Sequence, residues 1–202
     1  MCEYSFNPYY KLSPDWNSEE FSFLKSSDML DFHKSIEGYA PTPLVSLNSL
    51  AKKLNVGNIY VKDESQRFGI KAFKALGASY AIFRTINGKW RNNYGSELKA
   101  NEFFNADIKN KLGEFTFCAA TDGNHGKAVA WTANKLKQRA IIYMPANTAK
   151  SRIENIYSEN GEVVLVDGTF DDCVTKVAEE SAKNGWQVIS DTAYPGYMDI
   201  PE

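Results

Sequence analysis

Residues 115–137, FTFCAATDGNHGKAVAWTANKLK, decide the fold of this chain because they combine a strand, a turn and a helix. The first six residues are an apolar run of strand length, and residues 126–137 form a helix-like segment. The segment between them, residues 121–126, contains two glycines, which permit a sharp turn. A strand that leads directly into a helix is the repeating unit of α/β proteins.

The same unit recurs as far as residue 190, with short apolar runs separated by helix-like segments. Thr169 and Asp172 resemble a capping box at a helix start, and Gly161 and Gly185 stand where helices should end. This alternation predicts an α/β fold in which a parallel sheet is covered by helices on both faces. The predicted strands are 115–120, 140–144, 163–166 and 187–190, and the predicted helices are 126–137, 149–160 and 170–184.

The chain before residue 115 is less regular. Residues 1–40 are aromatic and polar, and the prolines of Pro41-Thr42-Pro43-Leu44 force an extended backbone after them. The predicted elements of this part are short helices at 17–24 and 27–36, a helix at 46–54, a strand at 58–62, a helix at 72–86 ended by Asn87-Gly88, and a polar connection at 92–110.

The composition is ordinary for a globular protein and excludes several classes of function. Of the 202 residues 43% are hydrophobic and 24% charged, and the formal net charge of -2 offers no broad basic field for a nucleic acid. The cysteines, Cys2, Cys118 and Cys173, are widely spaced and indicate neither a disulfide framework nor a metal cluster. No secretory signal pattern and no apolar stretch near about 20 residues is found, so we expect a cytoplasmic protein without membrane contact.

Lys74 lies in the predicted helix 72–86, whose faces are nearly all apolar or small. Such a helix is normally buried, so the ammonium group must find a partner, reach solvent or lose its charge. A neutral lysine amine is the nucleophile that forms a Schiff base with a carbonyl cofactor. The alternative, a surface lysine that lies along the helix, stays open from the pattern alone. Lys71 is expected to be exposed.

The turn at 121–126 is expected at the carboxyl end of a strand, where open α/β sheets bind ligands. The N–H groups of the helix start form an anion site, and the helix dipole would favour an ionised Asp122 that can act as a base. The alternative is a connecting turn in which Asp122 only caps the helix. His125 could be a base or a ligand, although a lone histidine there is more often structural. Asp191, after another predicted strand, is by itself only a weak signal.

Six motifs in this order and spacing carry a family resemblance: Pro41-Thr42-Pro43-Leu44, Val61-Lys62-Asp63-Glu64-Ser65, Arg67-Phe68-Gly69, Ala72-Phe73-Lys74, Thr121-Asp122-Gly123-Asn124-His125-Gly126 and Asp191-Thr192-Ala193. The chain resembles the fold-type-II pyridoxal-phosphate enzymes, the tryptophan synthase β-like group, and among them the diaminopropionate ammonia-lyases. General dehydratases of this group look more like Ser-Phe-Lys and Ser-x-Gly-Asn-His at the two main sites. The resemblance covers nearly all of the chain from residue 41 onward.

The resemblance implies pyridoxal 5'-phosphate as cofactor and a small amino acid, 2,3-diaminopropionate, as substrate. The implied reaction is an α,β-elimination that yields pyruvate and ammonia. Lys74 would bind the cofactor and remove the α-proton of the L-enantiomer, Asp122 would remove that of the D-enantiomer, and Asp191 would be the third catalytic residue. The implied cofactor contacts are Lys74, Phe73 and Asn124, the implied substrate contacts are Thr121, Asp122, Gly123 and His125, and no metal is implied.

The resemblance also divides the chain into three parts. Residues 1–94 would form an N-terminal arm and a partial large domain with the cofactor lysine, 95–190 a complete small domain, and 191–202 the start of the return to the large domain. Family members are roughly twice as long and usually homodimeric, and no glycine-rich phosphate cradle appears in this sequence. We therefore expect an exposed edge at strand 58–62, poor cofactor binding, and no activity unless a second polypeptide completes the fold.

Two alternatives to the ammonia-lyase stay open. One is a serine or threonine dehydratase of the same fold, which Asp122 disfavours because those enzymes lack an acid there. The other is a non-catalytic binding or assembly module derived from the small domain. Two departures from the family pattern bear on substrate fit: Lys71 stands where asparagine is expected, and Tyr194 where relatives tend to have tryptophan.

Overall fold

The computed structural model describes residues 26–193 together with Glu19, Tyr197 and Ile200. Apart from Glu19, the predicted helix at 17–24 lies outside the described residues, and so does the departure at Tyr194. The elements in chain order are α1 (Asp28–Ser35), β1 (Leu44–Ser46), α2 (Asn48–Leu54), β2 (Tyr60–Lys62), α3 (Lys74–Tyr94), α4 (Ile108–Leu112), β3 (Thr116–Ala120), α5 (Asn124–Lys135), β4 (Arg139–Pro145), α6 (Lys150–Tyr157), β5 (Glu162–Val166), α7 (Phe170–Asn184) and β6 (Gln187–Val188).

Four parallel strands form the main sheet in the order β5-β4-β3-β6. The register of β3 against β4 runs from the pair Thr116 and Arg139 to the pair Ala120 and Tyr143. These two middle strands are buried on both faces, which is why their sequences are continuous apolar runs without alternation. The predicted parallel α/β sheet is confirmed.

The last strand, β6, is shorter than the predicted run 187–190. The Ile189 N–H still donates to the Cys118 carbonyl at 2.9 Å, so the pairing reaches one residue beyond the strand. The Ser190 N–H instead donates to the Tyr197 hydroxyl at 2.8 Å. A side chain therefore replaces the neighbouring strand as hydrogen-bond partner at the point where the chain leaves the sheet.

Helices cover both faces of the sheet, as predicted. On one face α3 and α5 pack in the main core, and α7 covers the other face. The alternation of the strand side chains sorts the core residues between the two faces. Those that face α7 and its residues Cys173 and Val177 are Cys118, Ala120, Ile141 and Tyr143.

Gly126 allows α5 to lie close against the sheet. A Cβ atom at this position would stand 2.4 Å from Thr121 Cγ2 and 2.6 Å from Ile142 Cγ2, closer than any side chain tolerates. The glycine predicted for the turn is therefore required by helix-to-sheet packing. This close approach brings the N-terminus of α5 to the carboxyl end of β3.

The capping signals in the sequence were partly right. In α7 the Thr169 hydroxyl and the Asp172 carboxylate form a reciprocal capping box, and Gly185 ends the helix with a φ of 71°. In α6 the left-handed residue after the helix is Asn160, with a φ of 58°, and not Gly161. The helix also ends at Tyr157. Gly161 is instead required by packing, because a Cβ there would stand 2.7 Å from the Ile156 side chain.

The prediction for α3 was wrong in its length and burial. The helix begins at Lys74, passes through Asn87-Gly88 and ends at Gly95, which has a φ of 68°. Asn87 does not stop the helix because its side-chain oxygen accepts the Leu98 N–H at 2.8 Å, and partly buried Trp90 holds the next turn in the core. Burial follows a single stripe, so the helix is amphipathic and is not buried on all sides; the stripe is Ala75, Ala78, Ser79, Ile82 and Ile86.

The segment 92–110 is more than the polar connection that was expected. It contains the first residues of α4 and contributes the buried side chains Leu98, Phe103 and Ile108 to the main core. Phe103 stacks edge-on against Phe83 of α3, with ring centroids 5.2 Å apart. Apolar residues separated by polar ones in an irregular segment give no periodic signal, so the sequence pattern did not reveal this packing.

The N-terminal part forms a two-stranded antiparallel ribbon of β1 and β2, which lies apart from the main sheet. Every residue of both strands is exposed, including Leu44 at 65% and Tyr60 at 59%. This is the exposed apolar edge that was expected at strand 58–62. The domain boundaries near residues 94 and 190 stay predictions, since α1 and α3 share one hydrophobic core with α5. None of the helices in the described residues has the length and apolar character needed to cross a bilayer.

Candidate active site

A cavity of about 310 Å³ opens at the carboxyl end of β3, where the sequence predicted a ligand site. Its wall includes the turn 121–125, which joins β3 to α5, together with Lys74 from the start of α3 and Asp191 from the segment after β6. Residues that are far apart in the chain therefore meet at one edge of the sheet. Arg152, from the first turn of α6, also lines the cavity.

Lys74 is the first residue of α3 and reaches into this cavity. Its side chain is 34% exposed, and Nζ donates a hydrogen bond to Asp191 Oδ2. The sequence left three outcomes for this ammonium group: a partner, contact with solvent, or loss of the charge. In the structure it has a charged partner and is also partly exposed to solvent. Lys71 is exposed, as predicted, and has a left-handed backbone with a φ of 62°.

Asp191 is the partner that sequence alone rated as a weak signal. Partial burial by itself would raise the pKa of its carboxyl group, but the hydrogen bond from Lys74 and the charges of His125 and Lys74 outweigh it, so the pKa lies below its usual value. Asp191 is therefore an anion held against Lys74. An anion in this position keeps the lysine side chain directed at the cavity.

His125 is buried between α5 and the segment after β6. Its Nε2 donates to the Ile189 carbonyl at 2.7 Å, which leaves Nδ1 facing Asp191 Oδ2 at 3.7 Å. Burial lowers the pKa of the imidazole, although the bond to Ile189 and the charge of Asp191 oppose this shift. His125 lines the cavity, but one of its nitrogens is already used to hold the chain that carries Asp191.

The turn itself is shaped by Thr121, which is buried. The Thr121 hydroxyl accepts the N–H groups of Gly123 at 3.0 Å and Gly126 at 3.3 Å. Asn124 is the first residue of α5, so it lies at the N-terminus where backbone N–H groups lack intrahelical acceptors. The arrangement supplies the anion site predicted for this turn, with a net positive helix end directed at the cavity.

The alternative in which Asp122 only caps the helix is wrong. Gly123, which has no side chain, occupies the cap position, and the Gly126 N–H in the first turn donates to the Thr121 hydroxyl. The Asp122 carboxylate instead pairs with Arg152, whose Nη1 lies 3.0 Å from Asp122 Oδ2. Asp122 therefore stands at the rim of the cavity with a side chain that is 79% exposed.

Sequence analysis missed two basic residues of this site. Arg152 contacts Asp122, and Lys127 donates from Nζ to the Ile70 carbonyl at 3.2 Å, which ties α5 to the segment before α3. Both line the cavity. The signal for Arg152 was its position in the first turn of the helix after β4, because the carboxyl ends of neighbouring parallel strands lie at the same edge.

Phe73 lies beside the site rather than in this cavity. Its ring is 59% exposed, and Lys74 Nζ lies 5.5 Å from the ring centroid. Phe73 lines a second, more apolar cavity of about 380 Å³, whose wall also contains Lys74, His125 and Asp191. The structure thus brings all the predicted site residues to one edge of the sheet, and their separate roles stay predictions.

These residues fit the reactive end of an aldehyde cofactor with an anionic amino-acid substrate beside it. An amine with a single anionic partner faces a cavity that falls in the range of about 300–1,000 Å³ typical of ligand sites. The α5 N-terminus offers N–H donors to a carboxylate in the same cavity. Lys74 would hold the cofactor; Asn124 lines the same cavity, and its contact with the cofactor stays a prediction.

Comparison with known proteins agrees with this geometry. A family model described as pyridoxal-phosphate dependent enzyme matches residues 36–200. The chain is 43% identical over 171 residues to diaminopropionate ammonia-lyase of Escherichia coli K12. The match includes 84% of this chain but only 42% of the relative, so the chain spans less than half of that protein's length. A biosynthetic L-threonine dehydratase of Staphylococcus epidermidis is 33% identical over 138 residues.

Solved structures give the same result. The crystal structure of holo diaminopropionate ammonia lyase from Escherichia coli superposes with a TM-score of 0.80 and 39% identity, and covers 91% of this chain and 46% of that one. The structure of that enzyme in complex with D-serine superposes equally well, with the same TM-score of 0.80. The family match over most of the chain, together with the lysine, the turn and the fold, shows that this chain belongs to the pyridoxal-phosphate dependent enzymes, with the fold of type II in that group.

Proposed function

We propose that this chain carries the lysine half of an ammonia-lyase that converts 2,3-diaminopropionate to pyruvate and ammonia by α,β-elimination. The observation that carries the proposal is the presence of an amine, Lys74, and a second basic group, Asp122, in one cavity at the N-terminus of α5. An enzyme that removes an α-proton from an amino acid requires such a base beside the bound substrate. Relatives that are 43% identical to this chain over 171 residues are diaminopropionate ammonia-lyases.

Lys74 and Asp191 form the centre of the proposed mechanism. Asp191 Oδ2 accepts the hydrogen bond from Lys74 Nζ and keeps the amine directed at the cavity before the cofactor binds. Lys74 must release a proton before its nitrogen can attack an aldehyde, and it can later return a proton to the substrate from the same position. When bound, pyridoxal phosphate supplies the electron sink that stabilises a negative charge at the substrate α-carbon.

The turn 121–126 provides the second part of the mechanism. The N–H groups at the start of α5 bind the substrate carboxylate, and the Thr121 hydroxyl keeps the turn in shape by accepting two backbone N–H groups. Lys74 and Asp122 both line the cavity that would hold this carboxylate, and each of them can accept a proton. Asp122 would take the proton of the D-enantiomer, and Lys74 that of the L-enantiomer.

Asp122 also separates the ammonia-lyase from a serine or threonine dehydratase. Its carboxylate lies in the cavity wall, where the dehydratase pattern has no acid, and the L-threonine dehydratase relative is less similar, at 33% identity. We further propose, on the family resemblance, that the complete enzyme is a cytoplasmic homodimer. Sedimentation of the complete enzyme measures the dimer, and a monomer at micromolar concentration would contradict it.

The substrate is tested with an enzyme assembled from this chain and the segment that completes the family fold. Pyruvate release from diaminopropionate should exceed release from serine, and Lys74→Ala should lower it by at least about 100-fold. Lys150→Ala is the matched control, because the Lys150 side chain is 90% exposed and is not part of the cavity wall; its turnover should be unchanged. Faster pyruvate release from serine would identify a dehydratase and contradict the proposal.

The state of the isolated 202-residue chain is tested by absorbance. Purified chain mixed with pyridoxal phosphate should show little of the absorbance shift that accompanies covalent attachment of the cofactor to a lysine. A strong shift that disappears in Lys74→Ala would show that the chain binds the cofactor without a completing polypeptide. The absence of any binding by the assembled enzyme would instead argue for the non-catalytic module.

A further inference from the structure

We propose that Arg152 is a positioning residue that holds the Asp122 carboxylate at the rim of the cavity. This proposal rests on the proposed function, because it assigns to Asp122 the proton transfer for the D-enantiomer. Arg152 Nη1 donates to Asp122 Oδ2 at 3.0 Å and to the Asp122 carbonyl at 2.9 Å. One guanidinium nitrogen therefore contacts both the side chain and the backbone of the same residue.

The double contact restricts Asp122 in a way that a simple ion pair does not. A bond to the carbonyl fixes the peptide group of the turn, and a bond to the carboxylate selects one side-chain direction relative to it. Asp122 otherwise has little to restrain it, since its side chain is 79% exposed and does not cap α5. Without Arg152 the carboxylate would be free to rotate into solvent, away from the bound substrate.

Arg152 projects from a well-anchored helix. Ile156, one turn later in α6, is fully buried, and its Cδ1 lies 3.3 Å from the position that a Cβ atom of Gly126 in α5 would occupy. Ile153 is also packed against the main core. The backbone at residue 152 is thus held relative to the turn it contacts, which is what a positioning residue requires.

The position of Arg152 also separates it from a residue that binds substrate. A guanidinium that bound the substrate carboxylate would stabilise both enantiomers alike, whereas one that orients Asp122 affects only the reaction in which Asp122 is the base. L-substrate turnover depends on Lys74, which pairs with Asp191, and within the part of the chain that the structure describes no hydrogen bond joins Lys74 to Arg152. Comparing turnover of the two enantiomers therefore distinguishes orientation of Asp122 from binding of the substrate carboxylate.

The test compares D- and L-diaminopropionate as substrates of the assembled enzyme. Arg152→Gln should lower kcat for the D-enantiomer by about tenfold with little change in KM, because misplacement of a catalytic group affects the chemical step. The L-enantiomer should be unaffected, and Arg152→Lys should restore part of the D-activity. Lys150→Gln is the matched control, as it removes the same charge from a side chain of α6 that is 90% exposed and pairs with Glu154 at 3.7 Å.

Two kinetic outcomes would overturn the proposal. A higher KM for both enantiomers would make Arg152 a substrate-binding residue, and equal loss of kcat for both would make it a structural one. Wild-type enzyme that converts neither enantiomer would mean that the proposed function fails, and a second measurement then decides the positioning role by itself.

That second measurement uses NMR relaxation of the Arg152 side-chain Nε–H in the 202-residue chain. The order parameter should be high in the wild type and should fall in Asp122→Asn, while the side chain of Arg139, which pairs with Glu162, should not change. An Arg152 side chain that is equally mobile in both proteins would refute the contact itself, whatever the enzyme's activity.

Discussion

The sheet region, residues 116–188, and the ribbon region, residues 44–62, have similar apolar strands but opposite environments. In the sheet region β3 and β4 are almost completely buried, and Ile142 and Met144 are 0% exposed. In the ribbon region Leu44 is 65% and Tyr60 59% exposed. The difference teaches that apolar strand sequences here are buried where helices pack over both faces of the strand, since β3 and β4 lie between α5 and α7 whereas β1 and β2 have no helix packed over them among the described residues.

The largest expected effect is the truncation of a core side chain in the sheet region. Ile142→Ala should lower the free energy of unfolding by about 3–4 kcal/mol, because it leaves a cavity in a strand packed on both faces. Val61→Ala in the ribbon region, where the side chain is 43% exposed, should change it by less than about 1 kcal/mol. Urea denaturation measures both, and equal losses would show that the ribbon is buried in solution.

The next effect comes from adding a methyl group where α5 meets the sheet. Gly126→Ala should destabilise the protein by about 1–3 kcal/mol, because the new Cβ would stand 2.4 Å from Thr121 and 2.6 Å from Ile142. Gly88→Ala is the control, since nothing lies within 4 Å of its Cβ position in α3. Gly88→Ala should raise the free energy of unfolding by about 0.5–1 kcal/mol, because alanine has a higher helix propensity than glycine. A decrease in this variant would contradict a helix that continues through Gly88.

A polar cluster joins the two ends of the ribbon region, so the stability of this part of the fold should depend on pH. Arg67 is buried and pairs with Glu64 at 2.7 Å, and its other nitrogens reach Thr42 and the Ala40 carbonyl. The hydrogen bond from Arg67 lowers the pKa of Glu64 from 4.5 to about 2. A lowered carboxyl pKa stabilises the fold above the unfolded-state value and loses this effect as pH falls toward the folded-state value.

Glu64→Gln should therefore lower the free energy of unfolding by about 1–2 kcal/mol at pH 7. The difference in this free energy between the variant and the wild type should shrink as the pH falls from 4.5 to about 2. Urea midpoints of both proteins across this pH range measure the effect. A difference that stays constant with pH would mean that the charge of Glu64 does not matter to the fold. Glu97→Gln, in an exposed pair with Arg91 at 3.4 Å, is the control and should have little effect at any pH.

The smallest effect tests backbone strain at two lysines, one in the sheet region and one between the ribbon region and α3. Lys71, before α3, and Lys137, before β4, have left-handed φ values of 62° and 55°. Asparagine tolerates this conformation better than lysine, so Lys71→Asn and Lys137→Asn should each stabilise the protein by a few tenths to about 1 kcal/mol. Thermal unfolding measures both, and a gain at only one site would show that its surroundings already relieve the strain.

The sequence by itself determined the regular part of the fold and the type of site. Strand and helix patterns between residues 115 and 185 predicted the parallel sheet, its two covered faces, the capping box of α7 and the position of the turn 121–126. These features depend on local patterns, in which each residue's environment follows from its near neighbours in the chain. The motifs around Lys74 and Asp122 likewise pointed to the cofactor and to the family that the comparisons show.

Only the tertiary structure decided which distant residues meet. The pairing of Lys74 with Asp191 joins positions 117 residues apart, and the contact of Arg152 with Asp122 depends on the order of β3 and β4 in the sheet. Tertiary contacts also carried α3 past Asn87-Gly88 to Gly95, against its local stop signal. Such contacts depend on how whole elements pack: the place of Arg152 in the first turn of α6 indicates the edge of the sheet at which it lies, but not the residue that its side chain contacts.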